Sequence, residues 1–448
     1  MKKHILSVLL LALNLTALAQ FTVSADKHYI LKDDKAFFWM GDTAWELFHR
    51  LNKEDADYYL KHRSAQGFTV IQAVALAEFD GLNKPNALGD NPLINNNPAT
   101  PNEAYFKHVD YIIDKAASYG LTIALLPTWA DKINKSSWGA GPEIFTVENA
   151  AQYATWLAKR YKNKKNIIWV LGGDRNPRDA KDIAVWRAMG LAVKKATNNK
   201  ALITYHCQPN QLGSAEWFKD ESWFDFNMFQ NGHCRDADNY RKIFDAYYAL
   251  PTKPVIDGEP LYEDHPICFN VAEFGTSNAF DVRKYAYTDL FSGAFGHTYG
   301  CHGVWQMYSA NNPPVNGPHF FWKESLDLQG AKQMKFVRRL MESRPLLDRV
   351  PDQSIIVENN LPSAIRVQAT RGKDYAFIYT SDGKPFTVVT GKISGEKLKA
   401  TWFDPRTGRT TKAGEVENRG SKRFNPPNSG YGVDWVLVLD DASKNYTL

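Results

Sequence analysis

Asn166-Ile167-Ile168-Trp169-Val170-Leu171, followed at once by Gly172-Gly173-Asp174, is the stretch that decides the fold. A short run that is apolar almost throughout is what a parallel strand buried on both faces requires. Just upstream, Tyr153, Trp156, Leu157 and Tyr161 recur at helical spacing behind a capping Thr146, so a helix leads into this strand. Outward in both directions the alternation repeats. Strands are expected near Phe37–Asp42, Phe68–Leu76, Leu121–Pro127, Asn166–Leu171, Ala201–His206, Phe224–Phe229, Pro254–Gly258 and Tyr299–Trp305. Between the second and third, Tyr105, Val109, Ile112, Ile113 and Ala116 mark a helix that Gly120 stops. Eight such units over about 300 residues match a closed (β/α)8 barrel. An open doubly wound sheet would bring a Gly-rich phosphate loop after an early strand, where this chain reads Gly41-Asp42-Thr43-Ala44-Trp45.

The barrel is expected over residues 20–350, opening with a hairpin from Phe21 to Val23 and Tyr29 to Leu31 with a turn at Asp33–Asp34. A last helix near Ala331–Ser343 runs into Pro345 and Pro351, and beyond them helical periodicity disappears. Alternating segments at Ala364–Gln368, Tyr375–Tyr379, Phe386–Thr390, Ala400–Phe403 and Trp435–Leu439 read as a small antiparallel all-β sandwich over 351–448. Trp402 and Trp435 fall on its inward positions. The predicted class is α/β, a TIM barrel followed by a β-sandwich.

Residues 1–19 have the form of an export signal: Lys2 and Lys3, an apolar run to Leu15, and an A-x-A pattern at Ala17 and Ala19 before Gln20. No later stretch is long and apolar enough to span a bilayer, so after cleavage a periplasmic or secreted protein without a membrane partner is expected. Without the two lysines the formal +5 falls to +3, too small and dispersed for a nucleic-acid partner. Aromatic residues make up 13% of the chain, with 13 Trp and 21 Tyr, and flat rings suit the apolar faces of sugars. Cys207, Cys234, Cys268 and Cys301 allow three disulfide pairings, and free buried thiols are the alternative.

In a barrel of this kind the C-terminal ends of the strands open into one bowl, and polar residues there are candidates for chemistry. The shortlist is Asp42, Glu78, Asp131, Asp174, His206, Asp257, Glu259 and Gln306, with Trp45, Trp129, Tyr205 and Trp305 among them. Asp174 follows two glycines at the end of strand four. Glu259 follows Gly258 at the end of strand seven, on the opposite side, while Asp257 is expected to face the helix layer. Two facing carboxyl groups suit glycoside hydrolysis, which needs one acid still protonated near neutral pH and a second that is ionised. A metal-dependent hydrolase would place His-x-His on strand one, and Asp42-Thr43-Ala44 offers none, so neither metal nor cofactor is expected.

The segments Phe37-Phe38-Trp39-Met40-Gly41-Asp42-Thr43-Ala44-Trp45, Gly172-Gly173-Asp174-Arg175-Asn176 and Asp257-Gly258-Glu259-Pro260 together resemble the apiosidase-like barrels of glycoside hydrolase family 140. The tail, with Trp402-Phe403-Asp404-Pro405-Arg406-Thr407-Gly408, is similar to the sandwich that follows such barrels and carries a collagen-binding label. The resemblance implies a retaining mechanism with Asp174 as acid/base and Glu259 as nucleophile. It also implies a plant cell-wall substrate, apiose-linked side chains on the acidic pectin rhamnogalacturonan II. Asp42, Trp45, Glu78, Trp129, Arg175, His206, Trp305 and Gln306 are the expected substrate-binding residues, with Arg175, Arg178, Lys132 or Arg235 as receivers of pectic carboxylates. The same acids would equally serve a galactosidase or arabinofuranosidase, and a barrel that only binds carbohydrate or matrix is the non-enzymatic alternative.

Overall fold

The computed structural model describes residues 21–448; the export signal expected at 1–19 lies outside them. Three short antiparallel strands, Phe21–Val23, Ile30–Lys32 and Lys35–Ala36, precede the barrel, so the Asp33–Asp34 turn joins the second of these to a third that the hairpin reading lacked.

Eight parallel strands follow: β1 (Trp39–Thr43), β2 (Val70–Leu76), β3 (Thr122–Thr128), β4 (Ile167–Gly172), β5 (Ile203–His206), β6 (Asn227–Gln230), β7 (Val255–Glu259) and β8 (Gly296–Tyr299). They are ordered 5-4-3-2-1-8-7-6. β5 and β6 close the barrel through the Asp225 N–H donating to Ile203 O and the Thr204 hydroxyl donating to Phe226 O. Each strand is followed by a helix: α1 (Lys53–Ala65), α2 (Glu103–Ser118), α3 (Val147–Tyr161), α4 (Ala180–Ala196), the single turn α5 (Ala215–Phe218), α6 (Asn239–Tyr247), α7 (Ala279–Phe291) and α8 (Gln329–Glu342). Every residue of β1 to β8 is buried, which is why most of these segments read as largely apolar runs.

β8 starts three residues and ends six residues before its expected place. It ends at Tyr299; the Gly300 backbone passes against Tyr262, where a Cβ would lie 2.0 Å from the ring, and the chain then turns into a short helix, His302–Trp305. Among the described residues no helix is long and apolar enough to cross a membrane.

The C-terminal strands are β9 (Val350–Pro351), β10 (Val367–Arg371), β11 (Tyr375–Thr380), β12 (Phe386–Val389), β13 (Lys397–Phe403), β14 (Thr410–Glu417), β15 (Ser421–Phe424) and β16 (Trp435–Asp441). An antiparallel sheet of order 9-10-11-16-13-14 packs on a two-stranded ribbon, β12 with β15. Its two faces do different jobs. Ile378, Leu437, Leu439 and the buried Trp402 and Trp435 fill the interior of the sandwich. Tyr375, Phe377, Tyr379, Phe403, Val436 and Val438 belong to the barrel's own core.

The seam between the domains is α7. Tyr287 stacks on Tyr379 at 5.1 Å, Phe291 lies 6.0 Å from Phe377, and Arg283 meets Asp434 at 2.7 Å with both side chains buried. A second buried pair, Arg344 with Asp440 at 2.8 Å, ties the end of the barrel to β16. The sandwich is therefore a brace sharing one core with the barrel.

Candidate active site

β4 delivers its acid through an unusual backbone. Gly172, Gly173 and Asp174 all have positive φ, at 86°, 127° and 52°. A Cβ on Gly173 would sit 2.6 Å from the Trp129 ring and one on Gly172 2.3 Å from His206 O, so only glycine lets the chain pass between them. Asp174 itself is a non-glycine residue in the left-handed region, a conformation that costs energy and collects at functional sites. Its N–H donates to His206 Nδ1 at 3.2 Å. Since a backbone N–H can only donate, Nδ1 carries no proton and the His206 hydrogen is on Nε2.

That Nε2 lies 3.0 Å from Glu259 Oε2, with the distance of a hydrogen bond but not its direction. On the other side His233 Nε2 reaches Glu259 Oε1 at 3.2 Å. The register of β7 against β6 shifts between Asp257 and Glu259. Asp257 accepts from Asn231 Nδ2 and from the Glu259 N–H and faces away from the bowl, while Glu259 lines it. His233 belongs to the loop after β6. It is held there by a disulfide between its neighbour Cys234 and Cys268, and by the Cys268 N–H donating to His233 O at 2.8 Å. Cys207 and Cys301 are free and buried.

Asp174 and Glu259 line one cavity of about 690 Å³. Burial, reinforced by the negative charge of Glu259, pushes the Asp174 carboxyl up to about 7, against the opposing pull of His206 and Arg175. Burial alone would raise Glu259 as well, but the contacts from His206 and His233 reverse this and hold it below the usual carboxylate range. One acid keeps its proton near neutrality while the other is ionised, the division of labour that acetal cleavage needs.

Of the residues expected from sequence, Trp45, Glu78, Trp129 and Trp305 join the two acids on the cavity wall. The Glu78 carboxyl is raised well above its ordinary value, first by burial and then by Asp174. His206 is completely buried beneath them, 5.3 Å from Trp45 ring to ring. Asp42, Gln306 and Arg175 fall elsewhere. Asp42 is fully buried with Arg63, at 2.7 Å, and accepts from the Tyr59 hydroxyl at 2.5 Å, so it ties β1 to α1. Gln306 is fully buried, donating to His302 O and Val315 O and accepting from the Val315 N–H. It pins the loop after β8 and offers a sugar no free atom.

The cations expected to receive carboxylates are also engaged. Arg178 pairs with Asp182 and Glu143, each at 2.9 Å, Lys132 with Asp131 at 2.7 Å, and Arg235 with Asp281 at 2.7 Å. Arg175 is 1% exposed and bonded to backbone carbonyls.

Gln230, His233, Tyr262, His265, Phe269 and Trp138 also line the cavity and were not expected from sequence. Gln230 closes β6, one residue past the end expected for that strand, so a slightly longer strand would have found it. The others lie on loops, which carry no periodic signal.

Two opposed carboxyl groups in different protonation states, at the C-terminal mouth of a (β/α)8 barrel walled with aromatic rings, define a glycoside hydrolase. The comparisons agree. A solved structure described as "Glycoside hydrolase" is 33% identical, with TM-score 0.88, and covers 96% of this chain and 98% of its own. A glycoside hydrolase family 5 structure from Bacteroides vulgatus ATCC 8482 is 32% identical, with TM-score 0.88, covering 96% and 95%. A third, described as "a putative glycoside hydrolase" from the same strain, is 17% identical with TM-score 0.68 and shares the fold. No curated protein sequence matches. The profile described as "Apiosidase-like, catalytic domain" matches residues 24–348, and "Putative collagen-binding domain of a collagenase" matches 350–440. The chain belongs to the apiosidase-like family.

Proposed function

We propose that this glycoside hydrolase acts with retention of anomeric configuration, after export, and that it releases apiose-linked side chains from rhamnogalacturonan II. The observation that carries the mechanism is the contrast between Asp174, protonated near pH 7, and Glu259, ionised, across one cavity. The family match supports the sugar.

In the first step a Glu259 carboxylate oxygen forms a bond to the anomeric carbon as the bond to the leaving-group oxygen breaks. The Asp174 proton passes to that oxygen, and the product is a glycosyl ester on Glu259. Esterification removes the Glu259 charge. Because that charge helps to raise Asp174, its loss lowers the Asp174 pKa, and the carboxylate left behind can take a proton from water. The activated water attacks the anomeric carbon from the face the leaving group vacated, and Glu259 departs as a carboxylate into its two imidazole contacts.

The test is product analysis on rhamnogalacturonan II with wild type, Asp174→Ala and Glu259→Ala. Release of apiose-terminated side chains by wild type, lost in both variants, is expected. Release of arabinose or galactose without apiose would refute the sugar, and binding without any turnover would refute the enzymatic reading.

A further inference from the structure

Four buried histidines lie in or beside the cavity wall around Glu259, and the partners of each fix where its ring hydrogen sits. His206 accepts the Asp174 N–H on Nδ1, and His233 turns its Nε2 to Glu259 Oε1 at 3.2 Å, so the hydrogens of both face the nucleophile. His302 uses both nitrogens, Nε2 donating to Asn316 O at 3.1 Å and Nδ1 accepting from Trp305 Nε1 at 3.2 Å. His265 is the exception. Its Nδ1 lies 2.7 Å from Pro266 O, and a carbonyl oxygen can only accept, so the hydrogen is on Nδ1 and Nε2 keeps a bare lone pair. Among the described residues this Nε2 has no partner, and it is not sealed off from the cavity that His265 lines.

The ring is held where it stands. His265 is 2% exposed, its ring stacks on His233 at 4.2 Å, and His302 at 4.4 Å and Phe269 at 5.0 Å meet it edge to face. Its backbone is clamped as well, the N–H donating to Ser277 Oγ and the carbonyl accepting from the Ser277 N–H, both at 3.0 Å. Burial, with His233 and His302 beside it, holds the imidazole well below its usual range, so the lone pair carries no proton at neutral pH. A neutral acceptor fixed before the substrate arrives loses little freedom when it binds.

What such a nitrogen can take from a sugar is a hydroxyl hydrogen. His233 links it to the reacting centre, with its Nε2 on Glu259 and its ring on His265, so the sugar that bonds to Glu259 lies against this wall. We infer that His265 is a specificity-determining residue of the glycone site, its Nε2 accepting a hydrogen bond from one hydroxyl of the sugar that Glu259 attacks. A glycone with hydrogen, fluorine or an alkyl ether in place of that hydroxyl leaves the lone pair unpaired and is rejected. The inference rests on the reading of Glu259 as nucleophile.

The test is a set of 4-nitrophenyl glycosides of the released sugar, whether apiose, arabinose or galactose, with the leaving group constant and each hydroxyl in turn replaced by hydrogen. kcat/KM is measured for wild type, Glu259→Ala, His265→Phe, which keeps a ring in the stack without an acceptor, and His265→Gln. On the fully hydroxylated sugar His265→Phe should be about tenfold slower than wild type, and His265→Gln, whose amide oxygen can accept, should recover most of the loss. For one deoxy sugar wild type and His265→Phe should agree within twofold, while the tenfold ratio persists for the others. Each ratio is taken on a single substrate, so the intrinsic reactivity of that sugar cancels. With Glu259→Ala inactive, a ratio equal across the whole set, or His265→Phe within twofold of wild type on the parent sugar, would overturn this inference alone. Hydrolysis that survives Glu259→Ala would sink the nucleophile reading and the inference with it. The expected pattern on arabinosides or galactosides, with apiosides left intact, would remove the apiose reading and keep this one.

Discussion

Replacing His233 with alanine should move the acidic limb of the pH–rate profile upward and leave the alkaline limb near 7. Glu259 must be ionised to attack, and in the folded protein its pKa is depressed by His206 at 3.0 Å and His233 at 3.2 Å. Activity is therefore fully present above the depressed value and is lost as pH falls through it. Removing one imidazole lets the pKa rise, so activity is lost sooner on acidification. A hydrogen bond to a charged group is worth roughly 1.5–3 kcal/mol, and 3.2 Å is at the long end of the range, so the lower figure applies. About 1.5 kcal/mol corresponds to about one pH unit. The alkaline limb belongs to Asp174, raised to about 7 by burial and by the Glu259 charge, and that charge is still present in the variant at neutral pH. Measuring kcat/KM at constant ionic strength, from the lowest pH at which the enzyme stays folded up to pH 9, separates the two limbs. A profile that only scales down, with both limbs in place, would show that His233 contributes packing, through its ring stack with His265 at 4.2 Å, and would refute the electrostatic role.

Asp42→Ala leaves the Arg63 charge buried and unpaired, which should cost about 3–5 kcal/mol of stability by chemical denaturation while KM of the folded enzyme stays within twofold; normal stability with a raised KM would return Asp42 to the sugar. Gly173→Ala forces a Cβ to within 2.6 Å of Trp129 at a φ of 127°, and kcat should fall about 100-fold with an unchanged circular dichroism spectrum. Near-normal turnover would mean that the bend beneath Asp174 is not required. Arg283→Ala breaks the buried pair with Asp434 in the seam between the domains and should cost about 3–5 kcal/mol, seen in calorimetry as an earlier transition. An unshifted single transition would contradict the shared core.

The barrel was legible because most of its strands are buried on both faces and largely apolar, as in Val70–Leu76 and Ile167–Gly172. Where a strand is exposed the signal fails. β14 and β15 are dominated by Thr, Lys, Glu, Ser and Arg at mostly exposed positions, and sequence reading passed over both. The apolar stretch Tyr299–Trp305 misled for a different reason: it joins the end of β8 to a buried helical turn, and apolar character does not separate the two. That displacement put Gln306 on the strand-end shortlist. Asp42 does stand at the end of β1, but its partner Arg63 comes from α1, and a contact across 21 positions of chain has no local signature. Asp174 and Glu259 were legible because each follows a glycine at a strand end; the imidazoles that tune them come from β5 and a disulfide-braced loop, and only folding brings those together.

The most direct test of the two-acid account is peptide mass spectrometry after incubation with an activated 2-fluoro glycoside of the released sugar, which slows hydrolysis of a covalent intermediate. The expected result is one adduct, on the peptide carrying Glu259, absent in Glu259→Gln. An adduct on any other residue, or a product of inverted anomeric configuration with no adduct at all, would contradict it.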